Sequence, residues 1–452
     1  MQAEKYQLRD IFRHRHALWT LGLVSIHQSI VAGSSYFLTR LIELFQRGEK
    51  FEGFLLAYLV MMLIPYIPGC LSFVTLQAWV NNAHRALTER LANAAYGVTE
   101  KTRDARLQEA VESIATRNSF ITIKDYLFFV HDFVGFLLNS ALSMLVLGLL
   151  LPGNLLIGYI VGVALCSLII LSMRKAIQTR STAVETDFVS YSDMLSRIWD
   201  NTTLGNRYNF LSWTHKRQIL ASRYYEASNR LMWRKQLSNL ALAGAALGPT
   251  IYLVAHAVAN NSADSALLAA IFVSLTRIFH ILNSLSTLVY QVLEWSSMNA
   301  RLRMLSDTIC RLSQVTTSSA FPRGEIYLNG RLISHFGQAA AMLSEKGQGR
   351  FTIKGSNGSG KSTLLLSLKK RFSDAAHLIP THHGKLCWSD SFHHLSTGQW
   401  TLAQLREVAD RPDTKYLLLD EWDANLDPGN TQEIDRMLDQ LSAQKVVIEI
   451  RH

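Results

Sequence analysis

The stretch FTIKGSNGSGKSTLLL, residues 351–366, decides the fold of the C-terminal part of this chain. It contains the complete pattern GxxxxGK[ST], with an apolar strand-like run before it and a helix-forming run after it. Glycines in such a turn let backbone N–H groups point inward around phosphate oxygens, and the helix N-terminus adds positive potential. The sequence therefore predicts a nucleotide phosphate loop composed of Gly355, Ser356, Asn357, Gly358, Ser359, Gly360, Lys361, Ser362 and Thr363.

A second motif lies downstream, where the apolar run Tyr416–Leu419 ends in two acids, Asp420 and Glu421. By itself this pattern favours a core strand with a polar end. Beside a phosphate loop it predicts that Asp420 holds Mg²⁺ through water and that Glu421 activates the attacking water. Ser362 is the expected protein ligand of Mg²⁺, and Lys361 is expected to reach the β- and γ-phosphates. The predicted cofactors are therefore ATP and Mg²⁺.

A third motif, LSTGQ at residues 395–399, lies between the first two. Such a sequence begins a helix whose N-terminus can face a γ-phosphate. The pattern is weak on its own, but its place between a phosphate loop and an acidic strand end gives it weight.

Together these motifs resemble the ABC transporter family, in its exporter-type half-transporter form, with Thr397 in place of the first glycine of LSGGQ. The stretch 424–427, Ala-Asn-Leu-Asp, resembles the loop that follows the acidic pair in that family. His452, after the strand-like run Val446–Ile450, lies where the family has a histidine that contacts the γ-phosphate. The resemblance implies that Glu421 and His452 are catalytic.

The resemblance also implies a partner. In the family, the LSGGQ-type segment of one nucleotide-binding domain completes the ATP site of another, so Ser396, Gly398 and Gln399 would bind a nucleotide held by a second half-transporter chain. One chain carries one phosphate loop and one LSTGQ segment, so two chains are needed. A C₂ homodimer is the simplest arrangement, and a heterodimer with a related chain stays open.

The first three hundred residues are rich in apolar runs long enough to cross a bilayer as helices. We predict six transmembrane spans, at 17–42, 54–79, 126–151, 155–173, 237–258 and 267–292. Lys and Arg concentrate in 1–16, 80–125 and 174–236, whereas 43–53 carries two and 152–154 and 259–266 carry none. This distribution predicts that the basic segments and the C-terminal part face the cytoplasm. It also argues against nucleic-acid binding, although the formal net charge is +10.

The predicted fold class is a multidomain membrane protein, with an all-α six-helix transmembrane domain followed by an α/β P-loop nucleotide-binding domain. The predicted boundaries are 1–312 for the membrane domain, 313–322 for a polar linker and 323–452 for a shortened ATP-binding domain with a largely parallel sheet. We expect an integral protein of a bacterial inner membrane, with the nucleotide-binding part in the cytoplasm.

The sequence departs from the family between Lys361 and Ser396, where family members have a longer segment containing a functional glutamine. Residues 364–394 contain no Gln, and Thr381 or His382 is the candidate replacement. Four histidines at 382, 383, 393 and 394 could bind a metal, although solvent-facing loop residues are favoured. Tyr327 and Phe336 are candidates for stacking on adenine, with packing in the core as the alternative.

The expected function is ATP-driven export of a peptide, lipid or drug-like substrate by a dimer of half-transporters. The alternative is an ATP-sensing or catalytically impaired subunit that supports an active partner chain. The shortened segment motivates this alternative, and the sequence does not identify the substrate.

Overall fold

The computed structural model describes residues 8–115, 119–150, 153–260, 321–381, 386–388, 397–409, 411–424 and 426–451, with parts of 287–314. The chain divides into two compact units. The helical unit comprises residues 1–91 and 112–310. The α/β unit comprises 92–111 and 311–452, so a short piece of the N-terminal half belongs to the C-terminal unit.

Residues 8–260 contain eight described α-helices, of which the fourth lies mostly in the α/β unit. They are α1 Arg15–Gln46, α2 Glu52–Leu63, α3 Tyr66–Ala95, α4 Ala105–Ser113, α5 Ser119–Leu150, α6 Gly153–Ser196, α7 Ile198–Thr203 and α8 Arg207–Asn260. Helices α6 and α8 pack closely where the backbone of Ala246 approaches Gly162. Their shared core includes Cys166, Ile177 and Leu242.

The predicted six-helix transmembrane domain is wrong. Among the described residues, two helical stretches are long and apolar enough to cross a membrane, Glu52–Ala95 and Ile160–Ser196. In both, most of the apolar side chains point outward; Leu63 and Leu171, for example, are exposed. The predicted span 267–292 lies mostly outside the described residues.

The predicted spans 17–42, 126–151 and 237–258 are not among these stretches. Polar residues lie within them, such as His27 and Gln28 in α1 and His131, Asp132 and Asn139 in α5. His131 contacts α3, where the Ser72 Oγ lies 3.0 Å from its Nε2, and Trp79 of α3 donates through Nε1 to the carbonyl of Ile11 at 2.7 Å. An apolar run in a sequence cannot distinguish burial against another helix from exposure to lipid.

The α/β unit is built on a small sheet of six strands: β1 Ile326–Leu328, β2 Arg331–Leu332, β3 Gly349–Gly355, β4 Ala376–Ile379, β5 Tyr416–Asp420 and β6 Val446–Ile450. The order is β2-β1-β3-β6-β5-β4. Strands β3, β6, β5 and β4 are parallel, whereas β1 pairs antiparallel with β2 and β3. The sheet is therefore mixed, and the predicted fold class is wrong in this unit as well.

Four helices cover the two faces of this sheet: α9 Phe336–Ser344, α10 Lys361–Phe372, α11 Thr397–Ala409 and α12 Pro428–Ser442. Leu418 and Ile448 pack with α9 and α10, while Leu417, Leu419 and Val447 pack with α11 and α12. Alternate residues of one strand therefore enter opposite cores, which explains why β5 and β6 are apolar almost throughout.

Glu449 is the exception in β6, because its carboxylate is buried at 2% exposure. Arg350 on β3 donates to both of its oxygens, at 3.0 and 2.9 Å, and Trp422 Nε1 donates to Oε2 at 3.0 Å. Arg350 also pairs with Asp435 and Asp439 of α12. This network joins two strands, a helix and the residue that follows Glu421.

We expect Arg350→Ala to destabilise the α/β unit by about 3 kcal/mol, because removing one partner leaves a buried carboxylate poorly compensated. Chemical denaturation of the purified protein measures the effect. The matched control is Arg331→Ala on β2, an exposed position, where a change of about 0.5 kcal/mol or less is expected. Equal effects of the two variants would contradict a structural role for the network.

Candidate functional site

The predicted phosphate loop connects the end of β3 to the start of α10. Gly358 and Gly360 have φ values of 81° and 106°, in the left-handed region that side chains disfavour. At Gly355 the φ is ordinary, but a Cβ atom would lie 2.7 Å from the carbonyl oxygen of Glu325 and 2.8 Å from Ser359 Oγ. The glycines therefore hold a turn whose backbone N–H groups face the same space as the N-terminus of α10.

Lys361 lies across this loop. Its Nζ donates to the carbonyls of Gly355 at 2.8 Å and Ser356 at 3.2 Å, which holds the ammonium group over the turn. A second contact holds the loop in place, because the N–H of Arg323 donates to the carbonyl of Ser359 at 2.9 Å.

The acidic pair lies at the same edge of the sheet, because parallel strands end together. Burial raises the pKa of the Asp420 carboxyl, and the nearby Ser362 hydroxyl opposes this rise. Its Oδ1 is buried without a hydrogen-bond partner among the described residues. The two residues predicted to hold Mg²⁺ therefore lie close together.

Glu421 has an unusual backbone. Its φ is 49°, and its N–H donates to the carbonyl of Ile450 at 3.1 Å. The next residue, Trp422, is tied to Glu449 by the hydrogen bond described above. A non-glycine residue in the left-handed region persists only where its surroundings enforce it, and such residues concentrate at functional sites.

A cavity of about 710 Å³ opens beside the loop. This size lies within the range of small-molecule sites. Seven of its sixteen lining residues belong to the predicted site: Asn357, Gly358, Gly360, Lys361, Ser362, Thr363 and Glu421. Phe321 and Arg323 also line it, and so does the largely buried Phe336.

Three further lining residues come from a part of the chain that the sequence analysis did not connect with this site. They are Thr99, Glu100 and Arg103, which belong to the segment 92–111 of the α/β unit. Arg103 Nη1 donates to Thr363 Oγ1 at 3.4 Å, and Glu100 pairs with Lys370 of α10. No sequence signal identifies them, because they are brought to the loop only by packing on α10.

Other predicted residues take different positions. Gly398 and Gln399 lie in the first turn of α11 and are not part of the cavity wall. Asp427 caps α12 by accepting from the N–H of Asn430 at 2.9 Å, and this hydrogen bond lowers its pKa. Ser396, Asn425 and His452 lie outside the described residues.

Of the residues considered as a replacement for the family's glutamine, for adenine stacking or for metal binding, the structure describes some and not others. Thr381 Oγ1 donates to the carbonyl of Asp420 at 3.0 Å, so it lies beside the acidic pair. Tyr327 donates to Glu325 at 2.8 Å and does not line the cavity. Histidines 382, 383, 393 and 394 lie outside the described residues. The described part of the chain contains no cluster of three His, Cys, Asp or Glu side chains suited to a metal.

The residues present nevertheless fit Mg²⁺ bound with a nucleotide. Mg²⁺ typically takes one or two protein oxygens and completes its shell with water and phosphate. Ser362 Oγ and the unpartnered Oδ1 of Asp420 supply such oxygens beside the loop.

No protein-family model matches the chain, and no curated protein matches it. Its function therefore has to be inferred from the residues of the site.

Gly355→Ala is expected to weaken nucleotide binding by about tenfold or more, equivalent to about 1.4 kcal/mol, because the added methyl group collides with backbone. Equilibrium binding of Mg·ATP measures this loss. Gly347→Ala is the matched control, since its Cβ meets nothing within 4 Å. If both variants bind as the wild type does, the loop geometry is not what holds the ligand.

Asp420→Asn should stabilise the protein when no ligand is bound. Because burial raises the pKa of Asp420, the folded state keeps this proton after the unfolded chain has lost it. Stability therefore falls as the pH rises from about 3.9, the ordinary value for Asp, through the raised folded pKa. Thermal scans of metal-free protein across this pH interval should show the melting temperature of the wild type falling relative to that of the variant. If the two melting temperatures change with pH in parallel, the folded state does not disfavour the charged form of Asp420.

Proposed function

We propose that this chain is an ATP-hydrolysing subunit of a membrane transporter of the ABC type. The observation that carries the proposal is the arrangement at one edge of the sheet. There the phosphate loop and Glu421 line one cavity, and Asp420 lies near Ser362 beside it. The order of the three sequence motifs favours the ABC family over other P-loop ATPases.

In this proposal the backbone N–H groups of 355–363 and the N-terminus of α10 bind the phosphates. Lys361 exchanges its hydrogen bonds to the loop carbonyls for hydrogen bonds to phosphate oxygens. The side chain needs to move little, because its ammonium group already lies over the turn. Bound Mg²⁺ would neutralise the charge that develops on the phosphates during transfer. Ser362 and Asp420 would hold it.

Glu421 would accept the proton of the attacking water. Glu421 lines the cavity, whereas Asp420 does not. The strained backbone at Glu421 aims this side chain, and the Trp422–Glu449 hydrogen bond holds the backbone in place. His452 would contact the γ-phosphate, as the resemblance implies.

Coupling to a membrane is proposed on two observations. Two stretches of the helical unit, Glu52–Ala95 and Ile160–Ser196, have the length and composition of membrane spans. Lys and Arg are concentrated in segments that also include 92–111, part of the α/β unit. We propose residence in a bacterial inner membrane with the α/β unit in the cytoplasm, and export of a peptide, lipid or drug-like substrate.

A second chain belongs to the proposal. Gly398 and Gln399 lie in the first turn of α11 and do not line the cavity of their own chain, and in the family this segment binds the nucleotide of the partner chain. Two identical chains related by a two-fold axis would then form two sites, each with the phosphate loop of one chain and the LSTGQ segment of the other.

ATPase activity of the purified protein in lipid vesicles tests this function. Glu421→Gln should lower kcat by about 100-fold or more, the usual contribution of a general base, and leave Mg·ATP affinity close to that of the wild type. The matched control is Glu345→Gln, an exposed acid outside the cavity wall, which should remain active.

Two results would contradict the proposal. Equal activity of the wild type and Glu421→Gln would show that hydrolysis occurs elsewhere. A wild-type protein that binds Mg·ATP but does not hydrolyse it would instead favour the ATP-sensing subunit that supports an active partner.

A further inference from the structure

Arg103 is a cation in the wall of the proposed nucleotide cavity that no sequence motif accounts for. It precedes α4, in the segment 92–111, and its guanidinium reaches α10 from outside the loop. Its Nη1 donates to Thr363 Oγ1 at 3.4 Å. It also lies close enough to Asp420 to lower the pKa of that carboxyl electrostatically, against the larger effect of burial.

The charges around the cavity are unevenly paired. Its wall contains four cations, at Arg103, Arg323, Lys361 and Lys370, and two acids, at Glu100 and Glu421. Glu100 is committed to Lys370 in an ion pair. Within the described part of the chain, Arg103 makes no ion pair, and it donates a hydrogen bond to the neutral hydroxyl of Thr363. A guanidinium offers five N–H donors in a planar fork, so this single bond leaves most of them for a ligand in the cavity that Arg103 lines.

The backbone around Arg103 is held on both sides. Tyr96 Oη donates to Asp374 Oδ1 at 3.1 Å, and Lys101 Nζ donates to the carbonyls of Leu312 and Gln314 at 3.1 and 2.6 Å. On the other side Asp104 caps α4, accepting from the N–H of Leu107 at 3.1 Å. Arg103 is therefore carried by an ordered turn, which reduces the entropy lost when its side chain binds a ligand.

We infer that Arg103 binds the phosphate chain of the nucleotide held by Gly355–Thr363. Arg recognises phosphate through parallel, charge-assisted hydrogen bonds, which are stronger than neutral ones. The contact to Thr363 places the guanidinium next to the loop's last predicted ligand. The segment 92–111 thereby becomes part of the nucleotide site, and the affinity for ATP depends on its position. This inference rests on the proposed function, since it requires a nucleotide in the cavity.

The test compares Mg·ATP binding by the full-length wild type with that of three variants, using isothermal titration calorimetry. Arg103→Ala should weaken binding by about tenfold or more, as expected for loss of a charge-assisted contact. Arg103→Lys keeps the charge without the fork and should recover part of the loss. Tyr96→Phe removes a bond that anchors the same segment but does not line the cavity, and it should bind within about twofold of the wild type.

Salt dependence supplies a readout that packing alone would not move. The affinity of the wild type should fall more steeply with added salt than that of Arg103→Ala, because one fewer cation faces the phosphates. Thermal midpoints of the variants, measured without nucleotide, check that each one folds.

The outcomes separate this inference from the function on which it rests. If the wild type binds Mg·ATP and Arg103→Ala binds equally well, Arg103 is not a ligand, while the proposed function stands. If Tyr96→Phe loses as much affinity as Arg103→Ala, or Arg103→Lys recovers none, Arg103 acts only by docking its segment. If the wild type binds no Mg·ATP, the proposed function and this inference both fall.

Discussion

Parallel pairing of β3, β6, β5 and β4 is the constraint on which the α/β unit depends. Hydrogen-bonded parallel strands all end at the same edge, so segments far apart in sequence meet there. Gly355, Asp420 and Ile450 are the last residues of three adjacent strands, and Asp420 is directly opposite Ile450. The placement of the phosphate loop beside the acidic pair thus follows from strand register before any side-chain contact is considered.

Two buried carboxylates show how stability and chemistry are divided within this sheet. Glu449 has both oxygens occupied by Arg350 and Trp422 and lies within β6. Asp420 ends the neighbouring strand with Oδ1 left without a described partner. The first arrangement fixes the backbone next to Glu421. The second keeps a carboxylate oxygen available at a cost in stability, a compromise typical of functional sites.

The helical unit shows the limit of reading apolar runs as membrane spans. Leu127 and Leu242 are fully buried, although each lies within a run that the sequence predicts to cross the bilayer. In Ile160–Ser196, by contrast, only 17% of the most apolar window is buried. The sequence shows an apolar run in both cases. Whether the run is buried depends on which helices pack against it in the folded chain.

The sequence by itself determined the local elements of the candidate site. The glycines of 355–360 specify the turn, the run 416–420 specifies a buried strand ending in an acid, and Thr397 marks the start of a helix that the structure confirms. Each is a short-range pattern whose physics lies within a few residues. Tertiary structure alone decided which runs pack together, that the sheet is mixed, and that Thr99, Glu100 and Arg103 join the cavity. These features depend on contacts between residues that lie far apart in the sequence. The type of a charged or apolar residue does not indicate which distant residue it will contact.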